Sequence, residues 1–167
     1  MLKILKDLKF FFEDNYEKIH VRNYAKLQKI SPPTASKLLE YLKNKNLLKK
    51  ENDRNYFFYY ANRDSQDFID LQRMYYRFKL ENLIKHVENN TVHPKIFLFG
   101  SVAKAEISKN SDIDIAIFTP SKKVIDTKFL EKKIKRKIQL FIFESLESVP
   151  VELKNNILNG YKLKGNF

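Results

Sequence analysis

The stretch KIFLFGSVAKAEISKNSDIDIAIF, residues 95–118, decides the fold of the second half of the chain. Its two apolar runs, residues 96–99 and 113–118, are short and rich in Ile and Phe, which predicts two neighbouring buried strands. Gly100 and Ser101 follow the first run directly. Because a glycine allows close backbone approach and a serine supplies a hydroxyl, this turn suits a phosphate group.

Two carboxylates stand at the start of the second run. Asp112 and Asp114 are two residues apart, so the alternation of a strand puts both on one face. The isoleucines between and after them point the other way. Adjacent carboxylates repel each other unless a cation or a proton lies between them, and Mg²⁺ binds such oxygen ligands together with substrate phosphates. The pattern predicts a metal and nucleotide site.

These motifs carry a family resemblance. Gly100-Ser101 is followed by ten residues and then by Asp112-x-Asp114. This spacing resembles the G-S-x10-D-x-D signature of the DNA polymerase beta nucleotidyltransferase superfamily. The surroundings are similar to the minimal nucleotidyltransferases of archaea and bacteria: Ser111 to Asp114 matches their S-D-I-D, and Lys104 falls where they usually have Arg or Lys. The resemblance covers residues 95–143.

The resemblance implies a fold, a reaction and a set of site residues. The fold is α+β, with a C-terminal domain that has a mixed sheet and helices on one face. The reaction transfers a nucleoside monophosphate from an NTP, with ATP expected, to a hydroxyl acceptor in the presence of Mg²⁺ or Mn²⁺. The implied nucleotide-binding residues are Gly100, Ser101, Lys104 and Ser111, and the implied catalytic and metal-binding residues are Asp112 and Asp114.

The sequence departs from this family at two positions. The family usually carries a third metal carboxylate in its third strand, which is predicted here at residues 138–143, and the matching residue is Gln139. An amide cannot supply the negative charge, so Gln139 should spare Mg-nucleotide binding and weaken transfer. Ala105 stands where Gly is usual. The alternative function is therefore a catalytically weak or inactive, DNA-binding transcriptional regulator.

The composition narrows the class of protein. No cysteine is present, which excludes disulfides and thiolate metal sites. No apolar run approaches the length of a membrane span, which predicts a soluble cytoplasmic protein with no membrane partner. The net charge of +12 lies at both ends: residues 1–62 carry 13 Lys and Arg against 7 Asp and Glu, and residues 91–167 carry 14 against 8. This balance favours polyanionic partners, although a generally Lys-rich proteome explains it equally well.

Residues 1–62 have the element order of a winged helix-turn-helix. Apolar spacing predicts helices over residues 2–12 and 21–30. Ser31 and Pro32 are an N-cap residue and a first-turn proline that start a third helix, and two strand-like runs then flank a turn at residues 52–55. In that fold the third helix enters the major groove of DNA.

The predicted partner of this domain is double-stranded DNA, and the alternative is a winged helix used only for protein contacts. Polar residues on the outer side of the third helix could contact base edges, while Lys and Arg side chains could contact phosphates. The candidate DNA-binding residues are Thr34, Ser36, Lys37, Tyr41, Lys43 and Arg54.

Residues 63–90 are predicted to form one long helix, capped by Asp64 and Asp67, between the two domains. Two interpretations remain open: a homodimer through this helix, or a rigid connector within one chain. The Asn and Pro residues within 89–94 predict a break between secondary-structure elements. We therefore expect the nucleotidyltransferase domain to span residues 91–167. The family resemblance also implies a HEPN-domain partner protein of toxin–antitoxin type, which nothing in this chain encodes.

Overall fold

The structure is a computed structural model that describes residues 2–54, 56–121 and 125–166. The chain forms two compact units. The first contains Met1–Gln72 together with Ala105–Lys109, and the second contains Arg73–Lys104 and Asn110–Phe167. The domain boundaries at residues 62 and 90 stay a prediction. Within the described ranges no helix has both the length and the apolar character needed to cross a membrane.

The first unit combines short helices with a three-stranded antiparallel sheet of order β1-β3-β2. Its elements in chain order are α1 Lys3–Asp7, α2 Lys9–Glu13, β1 Ile19–His20, α3 Val21–Gln28, α4 Pro32–Asn44, β2 Leu48–Asp53 and β3 Tyr56–Ala61. The predicted turn over residues 52–55 includes Asn55, which lies outside the described residues. The two-residue strand β1 was not predicted, because a period of two cannot be recognised in so short a segment.

Helix α4 follows its sequence signals closely. Ser31 is the N-cap residue, and its hydroxyl accepts a hydrogen bond from the backbone N–H of Thr34. Pro32 occupies the first helical position, as predicted. Ala35, Leu39 and Leu42 are fully buried, so this face of α4 packs into the core and the opposite face stays exposed.

The prediction of one long helix over residues 63–90 is wrong in its details. Two helices are present, α5 Gln66–Lys79 and α6 Glu81–Asn90, and they meet at Leu80, whose backbone (φ −94°, ψ 6°) leaves the helical region. Ser65, not Asp64, accepts a hydrogen bond from the first turn, at the N–H of Phe68. Asp64 forms an ion pair with Lys49 instead. Phe78 of α5 is exposed, and the homodimer stays a prediction. Six other apolar or aromatic residues of these segments are buried: Phe68, Tyr75, Tyr76, Leu80, Leu83 and Val87.

The second unit contains a four-stranded mixed sheet of order β6-β5-β4-β7. Its remaining elements are β4 Lys95–Phe99, α7 Gly100–Ala103, β5 Ile113–Phe118, α8 Lys128–Ile134, β6 Ile138–Phe143, α9 Val151–Leu158 and β7 Tyr161–Lys164. Strands β4 and β5 are antiparallel neighbours, which confirms the central prediction, and β5 pairs with β6 in parallel. The apolar spacing of residues 124–135 also predicts a helix. Val124 lies outside the described residues, and α8 begins at Lys128.

The two faces of this sheet differ in composition. One face carries an aromatic cluster, in which Phe97, Phe99 and Phe118 pack with Ile157 of α9. On the other face Ile96, Leu98 and the isoleucines of β5 are fully buried as well. Both faces of the central strands are therefore covered, whereas the prediction placed helices on one face.

Candidate functional site

The turn after β4 brings a glycine against a carboxylate. Phe99 pairs with Asp114 in the antiparallel register of β4 and β5, so Asp114 stands beside the start of α7. Gly100 has a φ of +70°, and a Cβ atom at this position would overlap Asp114 Oδ2 and lie 3.2 Å from Asp114 Cγ. Glycine is favoured here, because a side chain would be strained by the left-handed backbone and would force the close Asp114 carboxylate to move.

Strand β6 adds an amide to the two acids. Gln139 lies opposite Asp114 in the parallel register of β5 and β6, and its Nε2 donates a hydrogen bond to Asp112 Oδ2 at 2.9 Å. Asp112 directly precedes β5. Where the structure describes side chains, no group of three or more His, Cys, Asp or Glu residues is arranged to hold a metal ion. The predicted position of Gln139 beside the acids is therefore correct, and an amide takes the place of a third carboxylate.

The charged form of Asp114 is destabilised by its surroundings. Burial raises the pKa of Asp114, and the nearby charge of Asp112 raises it further. Within the described part of the chain neither acid has an ion-pair partner. A cation from outside the chain would remove this repulsion, and two carboxylate ligands together with phosphate oxygens suit Mg²⁺.

The other predicted nucleotide-binding residues surround this pair in the sequence. Ser101 is the second residue of α7 and is half-buried. Lys104 is exposed, and its Nζ donates to Asn156 Oδ1 of α9 at 3.0 Å. The backbone carbonyl of Ser111 accepts a hydrogen bond from Arg136 Nη1 at 2.7 Å.

Sequence reasoning missed Asn156 at this site, whereas for Arg136 it leaves two interpretations, a basic rim for a triphosphate or nucleic acid and a cation at a helix C-terminus. Arg136 belongs to a run of cations at the end of α8, a position that the helix dipole alone explains. Its contact with the loop before Asp112 depends on the register of β6. Asn156 has no signal in the sequence, because a single amide on a short helix indicates no particular contact.

The candidate DNA-binding residues all lie in the first unit. Five are on α4, and Arg54 lies in the turn after β2 with a φ of +47°. Ser36 is half-buried and the other five are exposed. The Thr34 hydroxyl is 2.8 Å from the Ser31 hydroxyl at the helix cap, and Lys45 Nζ lies 5.8 Å from the centre of the Tyr41 ring.

Comparison with known proteins gives a match to the second half of the chain. The family described as Polymerase beta, Nucleotidyltransferase matches residues 81–164, which run from the first residue of α6 to the last residue of β7. A solved structure described as "Crystal structure of the toxin-antitoxin with AMP-PNP" is 25% identical over 54% of this chain and 73% of that chain, with a TM-score of 0.42. No curated protein sequence matches the chain.

Proposed function

Because the chain belongs to the polymerase beta nucleotidyltransferase family, we propose that its second unit binds a nucleoside triphosphate with Mg²⁺ or Mn²⁺ and transfers the nucleoside monophosphate to a hydroxyl. One observation carries this proposal. The Asp114 carboxylate lies against Gly100, next to Asp112, and neither acid has an ion-pair partner within the described part of the chain. Acids in such an arrangement are typical of ligand sites rather than of structural ion pairs.

The residues present fit one metal ion that is bound together with a triphosphate. Asp112 and Asp114 would hold it, and the ion would neutralise phosphate charge and polarise the phosphorus–oxygen bonds. Gly100 has no side chain that would keep a phosphate from the backbone of the turn, and the hydroxyl of Ser101 can donate a hydrogen bond there. Ser111 and the exposed Lys104 are further nucleotide-binding candidates, and the charge of Lys104 would offset that of the phosphates.

The proposed reaction is a displacement at the α-phosphorus. The acceptor hydroxyl oxygen forms a bond to the α-phosphorus, and the bond from that phosphorus to the oxygen bridging to the β-phosphate breaks. Pyrophosphate leaves with the electron pair of the broken bond, and the hydroxyl proton passes to solvent water. ATP is the NTP that the family resemblance leads us to expect.

Gln139 favours a second candidate function. Its amide donates to Asp112 Oδ2, an oxygen that a metal ion would otherwise use, and it brings no negative charge. In this alternative the second unit binds nucleotide without turnover and the first unit acts as a DNA-binding regulator. Gln139→Glu distinguishes the two candidates in part, because an added carboxylate should increase transfer by an enzyme and cannot by itself create an acceptor site in a regulator.

The test uses the full-length protein with Mg²⁺ and each α-labelled NTP, with and without duplex DNA and cell extract. If the protein is an enzyme, label moves to a macromolecule, and the transfer disappears in the Asp112→Asn/Asp114→Asn double variant. The matched control is Asp126→Asn/Glu152→Gln, which removes the same charge from exposed acids of the same unit. Nucleotide binding that survives loss of both site aspartates would contradict the site assignment, whereas binding without transfer favours the regulator.

For the first unit, we propose a winged helix-turn-helix that binds double-stranded DNA. The support is an exposed outer face on α4 with Lys37, Tyr41 and Lys43, together with Arg54 in the hairpin turn. The affinity for a mixed-sequence duplex should fall as the salt concentration rises. Lys43→Ala and Arg54→Ala should each reduce the number of counterions released on binding by about one. Lys3→Ala is the control, because Lys3 is an exposed cation that already pairs with Asp7.

The family resemblance also leads us to propose a HEPN-domain protein as the acceptor. The hydroxyl would then belong to a side chain of that protein. The product of the neighbouring gene is the sample to add to the labelling reaction. Label on that protein would identify the acceptor, and label on nucleic acid alone would exclude this partner.

A further inference from the structure

The segment that carries Asp112 is tied at each of its residues to the run 136–139, which leads into β6. Arg136 Nη1 donates to Ser111 O at 2.7 Å, Gln139 Nε2 to Asp112 Oδ2 at 2.9 Å, and the backbone N–H of Ile113 to Lys137 O at 3.0 Å. All of these residues belong to the second unit. One short run therefore holds the segment that supplies one of the two site acids.

The bond from Arg136 acts where the sheet does not. Strand β5 begins at Ile113, so the backbone of residues 111 and 112 lies before the paired part of the strand. Gln139 reaches Asp112 only with its exposed side chain. Of the three bonds, that of Arg136 holds the backbone on the N-terminal side of Asp112. A charged guanidinium also makes a stronger hydrogen bond to a carbonyl than a neutral donor does.

The turn from which Arg136 projects is itself held by hydrogen bonds. Lys135 ends α8 in a left-handed conformation with a φ of +59°, and the N–H of Arg136 donates to Glu131 O at 3.3 Å. On the other side, the N–H of Ile138 donates to Glu131 Oε1 at 2.8 Å. Glu131 thus fixes the backbone on both sides of Arg136, and the half-buried arginine side chain starts from a defined position.

We propose that Arg136 is a positioning residue for the metal and nucleotide site. By holding the Ser111 carbonyl, it keeps the Asp112 carboxylate near that of Asp114, although the two charges repel each other. Without this bond the backbone before β5 can turn Asp112 away, and a cation must then order the segment again when it binds. The inference rests on the proposed nucleotide-binding function, but it assigns Arg136 no contact with the nucleotide.

The test measures binding of Mn²⁺ alone to the full chain by electron paramagnetic resonance, because a positioning role and a charge effect then have opposite signs. Arg136→Met should weaken Mn²⁺ binding about tenfold, the lower end of the usual effect of a residue that supports a metal ligand. Loss of a positive charge near the site would by itself strengthen this binding. Lys137→Met is the matched control: it removes the same charge from an exposed side chain, keeps the backbone bond to Ile113, and should not weaken Mn²⁺ binding.

A second readout follows the backbone directly. In the protein without metal, hydrogen exchange at residues 111–113 should be faster in Arg136→Met than in the wild type or in Lys137→Met. Mn²⁺ should slow exchange at residues 136–138 of the wild type, since the coupling between the metal and its support is reciprocal. If Arg136→Met does not fold, this wild-type measurement decides the question.

Several results would overturn the inference. Mn²⁺ affinity at or above that of the wild type in folded Arg136→Met, or equal weakening in Lys137→Met, refutes the positioning role. Exchange at residues 136–138 that does not respond to Mn²⁺ refutes it as well. Weaker Mg-ATP binding with unchanged Mn²⁺ binding would mean that the guanidinium contacts a phosphate instead.

The wild-type protein separates failure of the inference from failure of the proposed function. If it binds Mg-ATP but not Mn²⁺ alone, its acids are not held ready for a cation, and the positioning role is refuted while the nucleotide site stands. If it binds neither, the proposed function is refuted, and the inference falls with it.

Discussion

Glu40 in the first unit and Asp114 in the second are both partly buried carboxylates, but their surroundings are opposite. Glu40 Oε1 accepts hydrogen bonds from the Lys50 ammonium and, at 2.6 Å, from the Tyr59 hydroxyl. The hydrogen bond from Lys50 is the main reason that the pKa of Glu40 is lowered. Asp114 has a raised pKa, first because of burial and then because Asp112 lies nearby.

We interpret this difference as that between a structural charge, at Glu40, and a proposed ligand-binding charge, at Asp114. The chain supplies its own cation to Glu40, so this carboxylate stabilises the contact between α4 and the sheet of the first unit. It supplies no ion-pair partner to Asp114 within the described residues. A carboxylate that is destabilised in the free protein gains most from an added cation, which is why the second unit is the place to look for a ligand.

The largest expected effect comes from filling the space between the turn and Asp114. Gly100→Ala would force an L residue into a φ of +70° and place a methyl group against the carboxylate. The backbone term alone costs about 1–2 kcal/mol. Because the carboxylate must also move, we expect Mg-ATP binding to be lost, as measured by calorimetry.

Gly165→Ala is the matched control for this prediction. Gly165 also has a positive φ, +78°, but its Cβ would meet the backbone of Pro94 and Lys95 rather than a site acid. This variant should lose stability and keep its nucleotide affinity. If both variants lost the affinity to the same degree, the close contact of Gly100 with Asp114 would have no special role.

Asp114→Asn should stabilise the nucleotide-free protein while it removes a site residue. The pKa of Asp114 is higher in the folded than in the unfolded protein. Between these two pKa values the native state therefore binds more protons than the unfolded state. The free energy of unfolding falls as pH rises through that window. At pH 7 the substitution removes this penalty and should raise the melting temperature by about 2–4 °C, the scale of a 1 kcal/mol change in a chain of this size. The gain should vanish below about pH 4, where the unfolded carboxyl is also protonated. A lower melting temperature at pH 7 would contradict the electrostatic argument.

Glu40→Gln should have the opposite sign. The folded pKa of Glu40 is lowered, so its charge stabilises the protein above the unfolded pKa of about 4.3, and this contribution is lost as pH falls through the folded value. Because the pair is partly exposed and screened by solvent, we expect a loss of only about 1 kcal/mol at pH 7. Urea unfolding at pH 7 and at pH 3 measures the difference. Glu17→Gln, at an exposed position, should show no such loss.

Local patterns in the sequence were enough to predict the centre of the site. Gly100-Ser101 and the two aspartates lie at the adjoining ends of two short strands, whose Ile and Phe content predicted them as neighbours, and the structure pairs these strands antiparallel. Gln139 could be placed beside them because its strand has the same apolar character. Where a residue's position depends on its immediate neighbours in the chain, the pattern alone was sufficient.

Contacts between distant parts of the chain could not be predicted in this way. Lys104 meets Asn156, 52 residues further along, and Ile107 meets Asn15, 92 residues before it. Both contacts use an asparagine with no surrounding motif. The break at Leu80 is also invisible in the sequence, because the apolar period continues across it and the residue is fully buried.

Ala105→Gly is expected to have the smallest effect on the free energy of unfolding. Here the unfavourable energy lies in the backbone conformation rather than in a charge. Ala105 has a φ of +54° and is fully buried, at a position where the family it resembles usually has glycine. Ala105→Gly removes a strain of about 1 kcal/mol, but the freer unfolded chain offsets about 0.4–1 kcal/mol of that gain. The net stabilisation in urea unfolding should therefore be a few tenths of a kcal/mol, on the same two principles. Ala103→Gly, in the right-handed turn of α7, should instead lose about 0.5–1 kcal/mol. Equal losses in the two variants would mean that the left-handed backbone at Ala105 stores no strain, and that the unfavourable energy of this region lies in its carboxylates alone.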